Sequence, residues 1–295
     1  MDHRDVIARL PVERLAALSR RSDARGLAHL SGHVGLLAVL GAWISAGATL
    51  WWLALPVHGI ALAFLFTLEH ETTHKTPFRS PWLNEAVGHF AGALLFLPFI
   101  WFRYFHMAHH RHTNIPGKDP ELAEARPETR SAWIRHVSGL PYFTAMARQI
   151  LRNAFDGDAG DYVPAGAVAR VRREARILLA GYACAVLSPL WTPLLFWIWW
   201  LPLLLGQPAL RLYLLAEHGR CAFVANMLEN TRTTFTNRLV RFLAWNMPYH
   251  TEHHALPNVP FHQLPALHRW MRPHLAVTAP GYRAFTRSYL GHLRS

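Results

Sequence analysis

The chain has 295 residues, of which 52% are apolar and only 16% are charged. Soluble proteins typically carry about 25% charged residues, so this composition argues against an ordinary soluble enzyme. Two cysteines, Cys184 and Cys221, are too few for a disulfide scaffold or a thiolate metal cluster. The most unusual feature is the 20 histidines, because imidazole is the commonest metal ligand. Any bound metal is therefore expected to be held by nitrogen and oxygen.

The first long apolar stretch follows a polar, arginine-rich start. Residues 26–68 contain no Asp, Glu, Lys or Arg over 43 positions, and a membrane helix needs about 20. We therefore predict two spans that form a hairpin, with its turn near Trp51, Trp52 and Pro56. A signal peptide is excluded because the stretch is too long and begins too late. With so much apolar surface, the net charge of +12 favours a membrane surface over nucleic acid as partner.

A second uncharged stretch covers residues 177–210 and continues to Ala216, with only Arg211 interrupting it. It predicts another hairpin, with a turn at residues 188–193 and kinks at Pro202 and Pro208, which membrane helices tolerate. A shorter apolar piece, residues 86–102, lies between the hairpins and is ambiguous by length. We interpret it as re-entrant or interfacial, because a full crossing would separate the histidines on either side of it.

These patterns predict an all-α, polytopic membrane protein with four transmembrane helices in two hairpins and a cytoplasmic helical cap. Six arginines precede the first hairpin and neither turn contains Lys or Arg, so the positive-inside rule places both termini in the cytoplasm. The bacterial inner membrane is the expected location. The predicted single domain comprises an N-terminal segment (1–30), a first hairpin (31–74), a re-entrant or interfacial helix (85–102), a cap (103–176), a second hairpin (177–217) and a C-terminal part (218–295).

Three histidine motifs fall at the expected cytoplasmic ends of these segments. Helix positions i and i+4 are about 40° apart and i+3 lies about 60° to the other side, so one turn directs several imidazoles to one place. Adjacent rings in a His-x-x-His-His motif are splayed by about 100°, enough to serve two neighbouring metals. The candidates are His70 and His74 (first box), His106, His109 and His110 (second box), His250, His253 and His254 (third box), and His218 at the end of the fourth predicted span. Nine nitrogens exceed the four ligands of zinc or the roughly six of octahedral iron, so two metals are predicted.

The boxes and their surroundings resemble those of the membrane fatty acid desaturase family. The resemblance covers about residues 35–270 and rests on box order, on the phrase 109–114 (HHRHTN) followed by Asp119-Pro-Glu, and on the phrase 246–254 (NMPYHTEHH). It implies a non-haem centre of two Fe ions held by the eight box histidines and His218. It also implies that O2 and two electrons are used to attack an unactivated C–H bond of a lipid chain.

The resemblance implies an external electron donor, since the chain has no His-Pro-Gly-Gly signature of a cytochrome b5 domain. The candidates are a ferredoxin, a rubredoxin, or cytochrome b5 with its reductase. Desaturation is favoured over the alternatives within the same family, which are alkane or acyl hydroxylation, carotenoid ketolation and acyl decarboxylation. The outcome depends on how the substrate is placed.

Two rival functions come from other classes. Residues 70–74 also match the His-Glu-x-x-His pattern of a zinc protease, with Glu71 as general base, but that function would leave six histidines unused. A metal transporter would place its site near the bilayer midplane between broken helices, whereas these histidines lie beyond the ends of the spans.

Supporting roles can also be assigned. The groups expected to hydrogen-bond metal ligands are His112, Glu71, Asp119, Glu217, Glu229 and Glu252. The resemblance implies that an amide, here Asn246 or Asn226, holds a water beside one iron, and Arg232 is a candidate for binding a polar head group. His33, His58 and His89 are expected to be polar groups in or beside the spans, and the surface histidines are expected to be His262, His268, His274 and His292.

Overall fold

The computed structural model describes residues 2–157 and 159–294, and this part of the chain is mostly helical. The helices are α1 (His3–Ala8), α2 (Val12–Leu18), α3 (Asp23–Ser45), α4 (Trp51–Ala63), α5 (Leu65–Thr73), α6 (Pro81–Leu95), α7 (Phe99–His112), α8 (Arg130–Val137), α9 (Leu140–Leu151), α10 (Ala165–Leu187), α11 (Leu201–His218), α12 (Met227–Asn230), α13 (Arg238–Leu243), α14 (His250–Ala255), α15 (Leu264–Met271) and α16 (Tyr282–Gly291). Two short strands, β1 (Thr233–Thr234) and β2 (Thr278–Ala279), pair in parallel. The all-α prediction is confirmed apart from this small pair.

The first apolar stretch folds into α3 followed by α4 and α5, which are nearly continuous. Its turn lies at residues 46–50, where Gly47 and Leu50 adopt positive φ angles of 56° and 58°. The turn predicted at residues 51–56 is therefore misplaced: Pro56 lies inside α4. Proline is tolerated within membrane helices, where neighbouring groups satisfy the carbonyl it leaves unpaired.

Helices α4 and α11 cross unusually closely at two glycines. A Cβ atom on Gly59 would lie 1.9 Å from the carbonyl oxygen of Pro202, and one on Gly206 would lie 1.9 Å from the carbonyl oxygen of Gly59. Only residues without a side chain permit this approach. Both helices run from this crossing towards the histidines, so the crossing places His70 and His218 at the same end of the bundle.

Between the two long apolar stretches, α6 and α7 meet at a bend of 97°. Phe96 takes a positive φ of 60° there, and the bend leaves the carbonyl groups of residues 93–95 without helical partners. Side chains from later in the chain satisfy them: Tyr182 Oη donates at 2.9 Å, Trp199 Nε1 at 2.7 Å and Tyr142 Oη at 2.8 Å. The short apolar piece thus turns through about a right angle, which is compatible with a broken span or a re-entrant segment.

The number of helices suited to crossing a membrane is three, or four if the bent α6–α7 pair is one span. The three are Val12–Ser45, Trp51–Thr73 and Phe196–His218 within the described part of the chain. Helix α10 is not among them, because the first half of its 23 residues carries four arginines and Glu174. The predicted membrane character is supported, whereas the exact four-span count, the hairpin arrangement and the cytoplasmic cap remain predictions.

The isolated histidines in the spans act as hydrogen-bond donors. His58 Nε2 lies 2.8 Å from the carbonyl oxygen of Ile198. His33 Nε2 lies 2.9 Å from the carbonyl oxygen of Ala61. His89 contacts Glu174 at 2.8 Å, so all three are polar groups in or beside the spans, as predicted.

Candidate metal centre

The fold brings all nine candidate histidines together at one end of the bundle. Helix α5 and its C-cap supply the first box, α7 the second, α14 the third, and the last residue of α11 is His218. His74 and His110 are half-buried and the other seven are buried. Residues from four separate segments therefore enclose a single histidine-lined space.

Five of these histidines form what we call the first histidine group. Their potential ligand nitrogens all lie within 4.8 Å of one another. The members are His70, His74, His106, His110 and His253. Within it, the Nε2 atoms of His74 and His106 are 2.9 Å apart.

The other four histidines form the second histidine group. The ligand nitrogens of His109, His218 and His254 lie within 4.8 Å of one another. His250 joins them because its Nε2 atom lies 3.1 Å from Nε2 of His218 and 3.1 Å from Nε2 of His254. Nine nitrogens are more than one metal ion can bind, and the sequence therefore predicts two adjacent groups and not one.

The two His-x-x-His-His boxes divide between the groups in opposite ways. In α7 the i and i+4 residues, His106 and His110, belong to the first group and the i+3 residue, His109, to the second. In α14 the i+3 residue, His253, belongs to the first group, while the i and i+4 residues belong to the second. The division follows from helical geometry, since i and i+4 share a face and i+3 lies beside it.

The second histidine group is held from outside by protein acceptors. His109 Nδ1 donates to Asp119 Oδ1 at 2.9 Å, and His218 Nδ1 donates to the carbonyl oxygen of Asn230 at 3.2 Å. His254 Nδ1 lies 3.1 Å from Thr113 Oγ1, and that hydroxyl donates its own hydrogen to the carbonyl of His109. Each of these imidazoles is therefore protonated on Nδ1, the nitrogen that faces away from the other histidines.

A neutral imidazole with a proton on Nδ1 has a bare lone pair on Nε2. In the second group His109, His218 and His254 each have such a lone pair, and the potential ligand nitrogens of these three residues lie within 4.8 Å of one another. The Nε2 atom of His250 lies 3.1 Å from those of His218 and His254. It can donate a single hydrogen, so at least two of these buried lone pairs remain unpaired unless a cation binds them. The donor set thus fits a metal ion bound through Nε2, with Nδ1 fixed by the surrounding protein.

The first histidine group has fewer outer contacts. Neither ring nitrogen of His70, His110 or His253 has a hydrogen-bond partner among the described residues, although all six atoms are buried. The carboxylate nearest to His253 Nδ1 is Glu71, at 3.9 Å. Buried polar atoms without partners are costly, and a metal ion would satisfy the inward-facing ones.

The electrostatics keep the third-box histidines in the form that binds metal. Burial, reinforced by the neighbouring histidines, lowers the pKa values of His250, His253 and His254 well below the ordinary value. Burial alone would raise the pKa of Asp119, but the His109 imidazole and two backbone N–H groups lower it below its ordinary value. The third box is therefore neutral near pH 7, and Asp119, which supports His109 of the second box, is ionised.

Three of the predicted supporting acids lie beside the histidines. Asp119 binds His109, Glu217 Oε1 lies 3.3 Å from His250 Nδ1, and Glu71 lies near His253. Glu71 also accepts hydrogen bonds from Thr76 Oγ1 at 2.7 Å and from the N–H of Phe261 at 3.3 Å. It is thus held in place by neighbours on both sides.

Two other residues predicted to support the ligands have no contact with a box histidine among the described residues. Glu252, although inside the third box, hydrogen-bonds His268 and Thr233, so His268 is a buried residue and not the surface histidine predicted. His112 is half-exposed and forms no hydrogen bond with a box histidine within the described residues. Thr113, the next residue, takes that place.

The two predicted amides are also engaged elsewhere. Asn246 Nδ2 donates to the carbonyl oxygen of Phe261 at 3.0 Å. Asn226 caps α12, and its amide nitrogen donates to Glu229 at 2.7 Å. These contacts do not support a role in holding water at a metal, and they tie Glu229 to Asn226.

Arg232 does not act as a surface group for a polar head. Its side chain is 8% exposed, and its Nη1 atom donates to the carbonyl oxygens of Ala216 at 2.6 Å and Gly219 at 2.9 Å. A cation at these carbonyls stabilises the C-terminal end of α11. Because Arg232 occupies that position, the imidazole of His218 is free to face the other histidines.

Sequence reasoning missed Asn230, which connects three parts of the site. Its carbonyl oxygen accepts from His218 Nδ1, and its Nδ2 atom donates to the carbonyl oxygens of Thr113 and Val224, both at 2.9 Å. The only available signal was its position in a polar segment between the last span and the third box. That signal does not identify which atoms it contacts.

A cavity of about 610 Å³ opens onto both histidine groups. Apolar side chains form much of its wall, to which basic residues and the acids Glu121, Glu124 and Glu217 also contribute. The histidines that line it are His70, His106, His109, His218 and His250, the apolar residues include Phe66, Trp101, Phe102, Met146 and Leu214, and the basic residues are Arg126, His136, Arg148, Arg152 and Arg211. Its size suits a small ligand or part of a lipid.

Comparison with known proteins gives a consistent result. The family model described as fatty acid desaturase matches residues 47–286. Similar proteins include the sn-1 oleoyl-lipid 12-desaturases of Picosynechococcus sp. and Anabaena variabilis, each 31% identical, over 42% and 44% of this chain and 38% and 36% of the relative. The zeaxanthin 4-ketolase of Chlamydomonas reinhardtii is 27% identical over 88% of this chain and 56% of the relative. The alignments with the two desaturases thus span less than two fifths of those proteins. Since the family model covers most of the residues that form the spans, the bend and all three boxes, the chain belongs to the fatty acid desaturase family.

Proposed function

We propose that this protein is a membrane-bound oxidoreductase that introduces a double bond into a long acyl or similarly apolar chain, using O2 and a centre of two iron ions. The first histidine group would hold one iron and the second group the other. The family membership supports non-haem iron, and the two adjacent groups support two ions.

The observation that carries this proposal is the arrangement of the second histidine group. Asp119, the Asn230 carbonyl and Thr113 fix the outer nitrogens of three imidazoles, which leaves their inner lone pairs converging on one point. His250 can donate a hydrogen to at most one of these lone pairs, whereas a metal ion would bind all three. A zinc protease would need three ligands, and a single zinc would leave most of these nitrogens unpaired.

When bound, the two iron ions would supply the activation of O2 that cleavage of an unactivated C–H bond requires. The protein would position the substrate and keep water away. Phe66, Trp101 and Phe102 give the cavity an apolar wall beside the histidines, and burying a methylene group there would gain about 0.8 kcal/mol. Outer partners such as Asp119 would keep each imidazole in the required tautomer.

The two electrons are proposed to come from a separate ferredoxin, rubredoxin or cytochrome b5 with its reductase. Two relatives are oleoyl-lipid desaturases, which supports an oleoyl lipid as the substrate class. The ketolase, whose alignment covers more of this chain, supports ketolation or hydroxylation as the second candidate. Both reactions would use the same metal centre and differ in what happens after the first hydrogen is removed.

Mass spectrometry of lipids from cells with and without the expressed protein would test the proposal. Desaturation predicts lipids that have lost two hydrogens, whereas hydroxylation or ketolation predicts lipids that have gained oxygen. The matched control is the His254→Ala variant, expressed to the same level. No change in any lipid between wild type and this control, with iron present in the wild type, would contradict the proposal.

We also propose that both termini and the histidine site face the cytoplasm of a bacterial inner membrane. Single cysteines can test this after Cys184, which is exposed, is replaced by serine. A cysteine at Thr49 or Thr192, both exposed turn residues, should react with an impermeant reagent from outside intact cells, and one at Lys118 should not. Outside labelling at Lys118 would overturn this orientation.

A further inference from the structure

Arg211 is the one charged residue that interrupts the second long apolar stretch, from residue 177 to residue 216. It lies within Phe196–His218, a helix long and apolar enough to span a membrane. Charged residues in such helices are costly and commonly serve a function. Neither the metal centre nor the helix packing described above uses this arginine.

The contacts of Arg211 leave part of its guanidinium group unused. Its Nε atom donates to Gln207 Oε1 at 3.0 Å, and the group lies over the ring of Tyr142, 4.5 Å from the centroid. Its Nη2 atom is buried and has no hydrogen-bond partner among the described residues. The carboxylate that interacts electrostatically with Arg211 is Glu121. The two side chains form no ion pair among the described residues, and Glu121 Oε2 lies 3.5 Å from His109 Nδ1 instead.

Arg211 lines the cavity that opens onto both histidine groups, and so does His136. The Nε2 atom of His136 is also buried without a partner in the described residues. His136 hydrogen-bonds the backbone of Arg211, so its free Nε2 atom has no proton to donate and the ring helps to position the arginine. A pure hydrocarbon in the cavity would leave the guanidinium group unpaired, and an unpaired buried charge is especially unfavourable. A ligand with an acidic oxygen group would pair with Arg211.

Resting on the proposed function, we propose that Arg211, positioned by the contact of His136 with its backbone, binds an anionic oxygen group of the substrate inside this cavity. The substrate class would then be an acyl chain with a carboxylate or phosphate group, rather than a neutral carotenoid or hydrocarbon. A guanidinium group presents several N–H donors in a plane that matches such an oxygen pair. Arg211 stands seven residues before His218, about 10 Å along the helix, so this contact would set the distance between the anionic group and the metal centre.

Arg148 provides a matched control for the proposal. It lines the same cavity but is exposed, so Arg148→Gln removes the same charge without altering the buried contact. Arg211→Gln removes the contact, and Arg211→Lys keeps the charge but loses the planar donor pair. His136→Gln is a second, independent change at the same place.

The experiment measures binding of oleate, 1-oleoyl lysophosphatidate and methyl oleate to purified, metal-loaded protein by calorimetry. We expect the wild type to bind one of the two anions at least about tenfold tighter than methyl oleate, the difference that one charge-assisted hydrogen bond supplies. Which anion is preferred distinguishes carboxylate from phosphate. Arg211→Gln should abolish this preference, His136→Gln should reduce it, Arg211→Lys should retain part of it, and Arg148→Gln should leave it unchanged.

Unchanged binding of methyl oleate shows that a variant keeps an intact cavity. If Arg211→Gln fails to bind any ligand, the comparison of His136→Gln with Arg148→Gln decides the question. Equal affinity of the wild type for the anions and the ester, or an undiminished preference in Arg211→Gln or His136→Gln, would overturn this inference. Iron content and lipid products test the proposed function separately, because neither measurement depends on an anionic contact at Arg211.

Discussion

The two histidine groups have similar numbers of imidazoles but very different surroundings. In the second group, three outer nitrogens are fixed by a carboxylate, a backbone carbonyl and a hydroxyl. In the first group, three histidines have no partner at either ring nitrogen among the described residues, and the nearest carboxylate to His253 is 3.9 Å away. Packing alone holds much of the first group in place.

Outer hydrogen bonds fix the tautomer of a histidine ligand and raise its basicity. The contrast therefore indicates that the second group is pre-organised for metal, whereas the first group gains order when a metal binds. A site of two ions built in this way should load and release its two metals unequally.

The largest expected effect comes from removing one histidine from each group. His110→Ala and His254→Ala should each abolish lipid oxidation, because both ions are needed, and each should lower bound iron by about one ion per chain. Iron analysis and lipid mass spectrometry measure these outcomes. His292→Ala, an exposed histidine, is the control and should behave as wild type.

Resistance to a chelator tests directly whether the two histidine groups retain metal unequally. The iron that remains in His254→Ala would occupy the first histidine group, and the iron that remains in His110→Ala would occupy the second. Dialysis against a chelator, followed over time by iron analysis, should remove iron faster from His254→Ala than from His110→Ala, because fewer outer contacts restrain the ligands of the first group. Equal rates, or the reverse order, would show that outer hydrogen bonds do not govern retention here.

Replacing the outer carboxylates should have intermediate effects. Asp119→Asn removes the acceptor that holds His109, and loss of such a partner typically costs 10- to 100-fold in metal affinity. Glu71→Gln should cost less, since Glu71 lies 3.9 Å from His253 Nδ1. Metal titration of the stripped proteins measures both, with the exposed Glu124→Gln as control. A larger loss in Glu71→Gln, with zinc as the bound metal, would favour the protease alternative.

The smallest effect on metal is expected for Arg232→Gln. This change removes the cation that binds the carbonyl oxygens at the end of α11, at a cost of about 1–3 kcal/mol of stability. Thermal unfolding in detergent should shift downwards relative to Arg238→Gln, which alters an exposed arginine, while iron per chain stays at the wild-type value. A loss of iron equal to that of His254→Ala would assign Arg232 to the metal centre.

The sequence predicted the nine histidines and their convergence because the relevant spacings are local. Positions i, i+3 and i+4 share one side of a helix wherever the helix lies, so the spacing of the histidines alone predicts which rings point the same way. The need to keep His74 and His106 on one side also predicts a re-entrant or interfacial segment at residues 86–102, and the bend between α6 and α7 is compatible with that prediction.

The residues that sequence reasoning missed owe their roles to contacts between distant segments. Asn230 meets His218 and Thr113 only after α7, α11 and α12 have packed together. His268 resembles a surface residue until Glu252 is placed beside it. The first turn was misplaced because Pro56 usually marks a break, whereas a membrane helix accommodates it. Local patterns therefore predict the metal-facing atoms better than the atoms that support them.

The bend between α6 and α7 also has a consequence for the order in which the protein assembles. The carbonyl groups at residues 93–95 receive their hydrogen bonds from Tyr142, Tyr182 and Trp199, all of which are synthesised later. Until those side chains arrive, the end of α6 has unsatisfied carbonyls, which a hydrocarbon environment strongly disfavours. We therefore expect the second box to reach its final position only after Trp199 has been synthesised and packed, and the proposed metal centre to form late in biogenesis.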